Sequence, residues 1–404
     1  MIKTKANKVK YSYYFQCIAF MVVGLNSPTI STLAIIVLSF FFVRKMSSAE
    51  YYLFMVSFAY FFYTYMMMAF HDFLNIRDSI ISIYGFSFFY LVGCNILKDG
   101  DDNKVIAMFG SLFIGMALYL TLSYTNSDAE DILLRKVVSI HTDIAVNSTA
   151  IAAISSNIFL ILPFIYFPNK NKLSVFIITL GIALMLFVLS VNSTLGNRGT
   201  YLIFLQVALV CIGISRIKTK YKLGIIVSFL VLGFYLYGVF LNEIQESVIF
   251  KRIDEQGLET TRIDFYSADK IVGLFTESFF GGKIISTRLI PGSDKYFHNA
   301  ILDTFDVAGF LSFILLSFIF IHSTKNALFI LISRKIPTHL RALSLSLFLA
   351  CISIALTEPV LEISLGAFAM FFLSYGFQNN LLSTHKVKLR KGRRYIPLSI
   401  MHLK

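Results

Sequence analysis

Charge is scarce in this sequence. Asp, Glu, Lys and Arg make up 15% of its 404 residues, against about a quarter in a soluble globular domain, and that shortage excludes a water-soluble globule. Cysteine is sparse too. Cys17, Cys94, Cys211 and Cys351 all fall inside apolar runs, where they act as small apolar residues and point to no external disulfide or redox role. No glycine loop with an adjacent lysine is present to cradle phosphate, which argues against ATP hydrolysis. The histidines (His71, His141, His298, His322, His339, His385 and His402) are scattered without paired spacing, so metal chemistry lacks support and no cofactor is expected. Nor is there a visible internal repeat, which weakens a transporter built from two related halves.

What the chain does have is apolar length. The hydrophobic share is 56% with mean hydropathy +0.72, and runs of about 20 residues, enough to cross roughly 30 Å of hydrocarbon, recur throughout. Unbroken runs such as 173–191 exclude a closed barrel, whose strands alternate. The expected fold is an all-α polytopic membrane protein. Spans are placed at 11–23, 29–43, 49–70, 79–97, 105–124, 149–167, 173–191, 200–214, 223–241, 299–321, 342–356 and 360–378. Four regions follow: residues 1–241 with about nine spans, a large polar loop at 242–298, residues 299–378 with about three spans, and a basic tail at 379–404. The first apolar stretch, behind Lys3, Lys5, Lys8 and Lys10, lacks a small-residue cleavage site and reads as a retained anchor.

The net charge of +13 suggests nucleic acid until its placement is considered. The loop at 242–298 carries seven Lys/Arg against nine Asp/Glu, so the positive excess lies in short connectors and the tail. With both termini cytoplasmic, every short basic connector except the turn at Arg198 falls on one side, as the positive-inside rule requires. No nucleic-acid partner is expected; membrane lipids are.

Arg198 is therefore an anomaly, placed on the outer side between Gly196 and Gly199. It either snorkels to headgroup phosphates or serves an anionic substrate, and the second reading is favoured. Arg252, Arg262 and Arg288 lie in the large loop. Guanidinium groups suit a diphosphate leaving group whose charge grows as its bond breaks, although the loop's carboxylates are equally available to pair with them. Arg288, near Gly281-Gly282 and Pro291-Gly292, is the strongest of the three. His298, at the mouth of a span, is either a general base or an interfacial histidine bonded to a helix end. Asn299 either orients substrate or caps the helix, and Asp303, one turn on, is placed to anchor His298 or Asn299. Glu358 is an alternative base or a helix N-terminal charge. Between Glu259 and Phe280 the spacing of Ile263, Tyr266, Ile271, Leu274 and Phe275 predicts a short amphipathic surface helix closed by the glycine pair.

Taken together, Asn197-Arg198-Gly199 at the outer end of a span, an arginine-bearing outer loop with Phe280-Gly281-Gly282, and His298-Asn299-Ala-Ile-Leu302-Asp303 running to Gly309 resemble the O-antigen polymerase and O-antigen ligase family. The resemblance implies a metal-independent glycosyltransferase of lipopolysaccharide biosynthesis. Its donor would be undecaprenyl diphosphate-linked oligosaccharide, bound at the periplasmic face of the bacterial inner membrane. It further implies that Arg198 and Arg288 hold the diphosphate and that His298 activates the acceptor hydroxyl. A polysaccharide chain-length regulator becomes a candidate partner. Polymerase is favoured over ligase; a flippase for the same lipid-linked unit is the rival class, and would want more charge inside the spans.

Overall fold

The structure, a computed structural model, describes residues 14–42, 46–97, 102–167, 172–215, 217–218, 220–224, 227, 266–289, 296–357 and 365–391. In chain order the helices are α1 (Tyr14–Gly24), α2 (Pro28–Phe42), α3 (Ser48–Phe70), α4 (Ile76–Asn95), α5 (Asp102–Thr125) and the short α6 (Ala129–Leu133). Next come α7 (Ser148–Ser155), a 3-10 segment (Ser156–Ile161), α8 (Leu162–Tyr166), α9 (Lys172–Thr194) and α10 (Arg198–Ile214). The remainder are α11 (Ala268–Thr276), α12 (Ile284–Leu289), α13 (Ala300–Ala308), α14 (Phe310–Ile332), α15 (Thr338–Thr357) and α16 (Leu365–Lys391). Five described helical stretches are long and apolar enough to cross a membrane: Ser48–Phe70, Lys104–Thr125, Ser148–Tyr166, Phe310–Ile332 and Thr338–Thr357. The described fold is that of a mostly helical membrane protein, consistent with the all-α class.

Apolar helices pack in lipid by close backbone approach rather than by a hydrophobic drive. Two crossings show it. Gly24 and Gly115 bring α1 against α5, each lying where a Cβ would strike the other helix's backbone; Gly93 and Gly376 do the same for α4 and α16. Around the second crossing an aromatic core joins α3, α4 and α16, with Phe61 4.3 Å from Phe372 and 5.2 Å from Phe86, centroid to centroid. Polar caps mark the helix starts. Ser47 and Glu50 form a capping box on α3, and Asn75 caps α4.

The connectors sort into two groups at opposite ends of the bundle. At one, the loop end, His141 Nε2 lies 2.7 Å from Leu25 O, Arg135 Nε donates to Leu195 O at 2.9 Å, and the His71 ring lies against Gly282. At the other, the tail end, Ser383 donates to Glu50 at 3.1 Å, Asn380 to Cys94 O, and Arg341 to Ile214 O at 3.4 Å. Helix α3 reaches from Glu50 in one group to the residue before His71 in the other, about 34 Å for 23 residues.

Three local expectations change. The predicted span at 299–321 is instead the short α13 followed, across Gly309, by α14 reaching Ile332, so Lys325 lies within a helix. Gly309 stands at φ 84°, which breaks the run. Residues 125–148, expected as polar loop, contain α6 and a small hairpin of β1 (Lys136–Val138) and β2 (Ala145–Asn147), antiparallel with Val137 opposite Val146. The last helix continues past residue 378 to Lys391, so the basic tail begins as helix.

Candidate functional site

The loop end has its own small core. Tyr266 Oη donates to Phe297 O at 3.1 Å, and α11 follows with Leu274 fully buried among Ile285, Phe297 and Phe305. Phe275 meets Phe305 edge-on at 4.9 Å. The amphipathic helix predicted here is therefore real, though the described part runs from Ala268 to Thr276 and Ile263 lies outside the described residues.

Beyond α11 the chain turns on its glycine pair, Gly281 at φ 88° and Gly282 at φ 103°, and runs back against the end of α13. Gly282 N–H donates to Val307 O at 3.1 Å, Lys283 N–H to Asp306 O at 2.7 Å, and Phe310 N–H to Phe279 O at 2.9 Å. A Cβ on Gly309 would lie 2.7 Å from Phe279 O. Gly281 and Gly309 thus meet backbone to backbone.

Two buried carboxylates of α13 hold the flanking chain. Asp306 accepts from Ser278 Oγ at 2.6 Å, Ile285 N–H at 3.0 Å and Ser286 N–H at 2.9 Å, and so fixes the first turn of α12. Asp303 accepts from Phe297 N–H at 2.7 Å and Asn299 N–H at 3.0 Å, one on each side of His298. His298 is held between them at φ 55°, a backbone conformation uncommon for a residue with a side chain. Asn299 Oδ1 caps α13 through Ile301 N–H at 3.1 Å and Leu302 N–H at 3.4 Å. Of the two roles open to Asn299, its side-chain oxygen takes the cap; Asp303 anchors the backbone of its neighbours, as its position suggested. Burial pushes the Asp303 carboxyl up to about 8, against the pull of its two amide donors; nearby Asp306 adds to the rise and Lys283 opposes it.

Arg288, in the last turn of α12, is exposed and ion-paired with Glu277. Its helix and the His298 turn are thus carried by the same short α13. Arg198 is the first residue of α10, and its turn is built from other neighbours. Asn192 donates to Ser155 Oγ at 3.0 Å and accepts from Asn197 at 2.9 Å and Thr200 at 3.1 Å; Asn197 also donates to Ser148 O at 2.9 Å. Arg135 closes this turn through Leu195 O and, at 2.8 Å, Ser148 Oγ. The two arginines expected to act together therefore rise from separate scaffolds. Beside Arg198, the space where a Gly199 Cβ would stand is open, so Gly199 serves no close backbone contact there. Arg252, Arg262 and Glu358 lie outside the described residues.

Sequence reasoning passed over three residues at this end. Lys283, at φ 57°, sets its ammonium 3.8 Å from the centroid of the Tyr296 ring and 5.7 Å from that of Phe73. His71, from the turn after α3, lies with its Cε1 3.6 Å from the Cβ position of Gly282. Only the position of Lys283, next to a glycine pair, offered a signal in the sequence; the approach of His71 joins segments about 200 residues apart and leaves no local pattern.

Compared with protein-family models and with curated proteins, the chain matches none.

Proposed function

We propose that this protein is an O-antigen polymerase, an inverting glycosyltransferase. It would join undecaprenyl diphosphate-linked repeat units into long polysaccharide at the periplasmic face of a bacterial inner membrane. The observation that carries this reading is the double clamp of α13: Asp303 holds the turn of His298, and Asp306 holds the start of the helix bearing Arg288. An imidazole and a guanidinium referred to one rigid frame suit a transfer reaction, where orientation of the reacting groups supplies much of the rate.

In this mechanism a growing chain binds with its diphosphate against Arg198 and Arg288, the latter exchanging its Glu277 partner for phosphate oxygens. A hydroxyl of the incoming lipid-linked unit attacks the anomeric carbon from the face opposite the diphosphate. The new C–O bond forms as the old one breaks, its electron pair leaves on the diphosphate, and His298 accepts the hydroxyl proton.

Deletion of the gene, followed by gel profiling of the surface polysaccharide, tests the reading. Loss of polymerase leaves one repeat unit per lipid A-core; loss of a ligase leaves none and assigns the protein to that activity instead. Arg198→Ala and Arg288→Ala should each abolish long chains, and full-length polymer from either variant removes that arginine from the mechanism. Purified protein given lipid-linked units without a membrane gradient should yield a product ladder, which a flippase would not.

A further inference from the structure

We infer that His71, Lys283 and Tyr296 form a recess at the loop end that binds a phosphoryl group. His71 comes from the turn after α3 to meet Lys283 and Tyr296, which flank the glycine turn and the His298 turn of one loop. The His71 ring lies against Gly282, Lys283 is the next residue, and its ammonium sits 3.8 Å from the Tyr296 ring centroid. Two polar atoms in this cluster are buried with no hydrogen-bond partner among the described residues: His71 Nε2 and Tyr296 Oη. Tyr296 is only 4% exposed. A buried hydroxyl left unmatched costs roughly 1–3 kcal/mol, so a ligand that satisfied it would bind with that gain.

The chemistry around the two atoms selects the ligand class. A phenol hydroxyl, an imidazole nitrogen and an ammonium offer donors, and a phosphoryl group presents several acceptor oxygens with the opposite charge. A cation is disfavoured by Lys283. A sugar ring would ordinarily stack on an aromatic face, but Lys283 already occupies one face of Tyr296. The inference rests on the transferase reading for the identity of the substrate, and adds a phosphoryl contact separate from Arg198 and Arg288.

Binding can be measured without catalysis. Full-length protein in detergent is titrated with inorganic pyrophosphate and, separately, with undecaprenyl diphosphate in mixed micelles, following the 31P resonance and the thermal midpoint. Tyr296→Phe removes one hydroxyl and keeps the ring, so it preserves the packing; Lys283→Gln is the second variant, and His71→Gln the third. Each should weaken binding about tenfold. Variant-sensitive binding of pyrophosphate assigns the recess to the phosphoryl group itself; variant-sensitive binding of the lipid alone assigns it to a phosphoryl group presented on a tail. Absence of binding by both probes, or affinities equal to wild type in Tyr296→Phe and His71→Gln, overturns the inference. A product ladder formed by a protein with such insensitive binding would leave the transferase reading standing. Variant-sensitive binding without any ladder would do the reverse.

Discussion

The two ends of the bundle use polar side chains in opposite ways. At the loop end, Asp303 and Asp306 accept hydrogen bonds from backbone N–H groups and hold a chain that has left helical geometry. At the tail end, besides the side-chain donors to Cys94 O and Ile214 O, several bonds run side chain to side chain between intact helices. His322 Nδ1 shares a 3.0 Å bond with Tyr375 Oη, Asn326 donates to Asn379 at 3.0 Å, and Ser323 donates to Gln378 at 2.9 Å. A helix satisfies its own backbone, so a side-chain bond between two helices only adds to packing already present. Irregular backbone buried in protein has no such internal supply, and the carboxylates are what complete it. The loop end should therefore break when one side chain is removed, and the tail end should bend.

Asp306→Ala is the most severe test. It strips the acceptor from two buried N–H groups and the Ser278 hydroxyl, at a cost of about 3 kcal/mol or more. Hydrogen exchange at Ile285 and Ser286 should accelerate by about a hundredfold, with exchange in α16 unchanged. Unaltered exchange at those two amides would show that the glycine turn, not the carboxylate, holds α12. Gly309→Ala comes next. It imposes a Cβ at φ 84°, 2.7 Å from Phe279 O, and should cost about 1–3 kcal/mol, read as a lower midpoint of loop-end unfolding.

A pH titration sharpens the contrast further. Burial raises the Asp303 carboxyl from 3.8 to about 8, so the folded loop end holds that proton more tightly than the unfolded chain does. Its contribution is fully present below about pH 4 and is lost as pH rises through about 8. Loop-end stability should fall across that window, and Asp303→Asn, which cannot titrate, should flatten the slope even if its absolute stability is lower. A slope as steep in the variant as in the wild type would assign the pH dependence to another group.

Much of this architecture was legible in the sequence because each feature follows from a local rule. Long apolar runs marked α3, α5 and α15, and a cap on the helix at Ala300 was one of the two roles read for Asn299. The break at Gly309 was not legible, since an isolated glycine is tolerated within an apolar helix and nothing nearby revealed its positive φ. The hairpin at Lys136–Asn147 escaped because strands of three residues carry too little alternation to register. At the site, His298, Asn299 and Asp303 were readable because they lie within six residues of one another in sequence. The service of Asp306 to Ser278, and the approach of His71 to Gly282, depend on chain folding back over long separations.

The mildest prediction concerns the tail end. Tyr375→Phe deletes the hydroxyl bonded to His322 and leaves the ring, which packs 5.1 Å from Tyr90 and 5.6 Å from His322, centroid to centroid. Interhelical hydrogen bonds in membrane bundles average about 0.6 kcal/mol, because the separated helices find other partners. His322 retains Asn326 as a neighbour at 3.4 Å, so its nitrogen need not be stranded. The variant should therefore unfold within about 1 kcal/mol of wild type in mixed micelles, well short of the Asp306→Ala loss. A cost of about 3 kcal/mol would mean that the His322 bond supports bent backbone as Asp306 does, and the distinction between the two ends would dissolve.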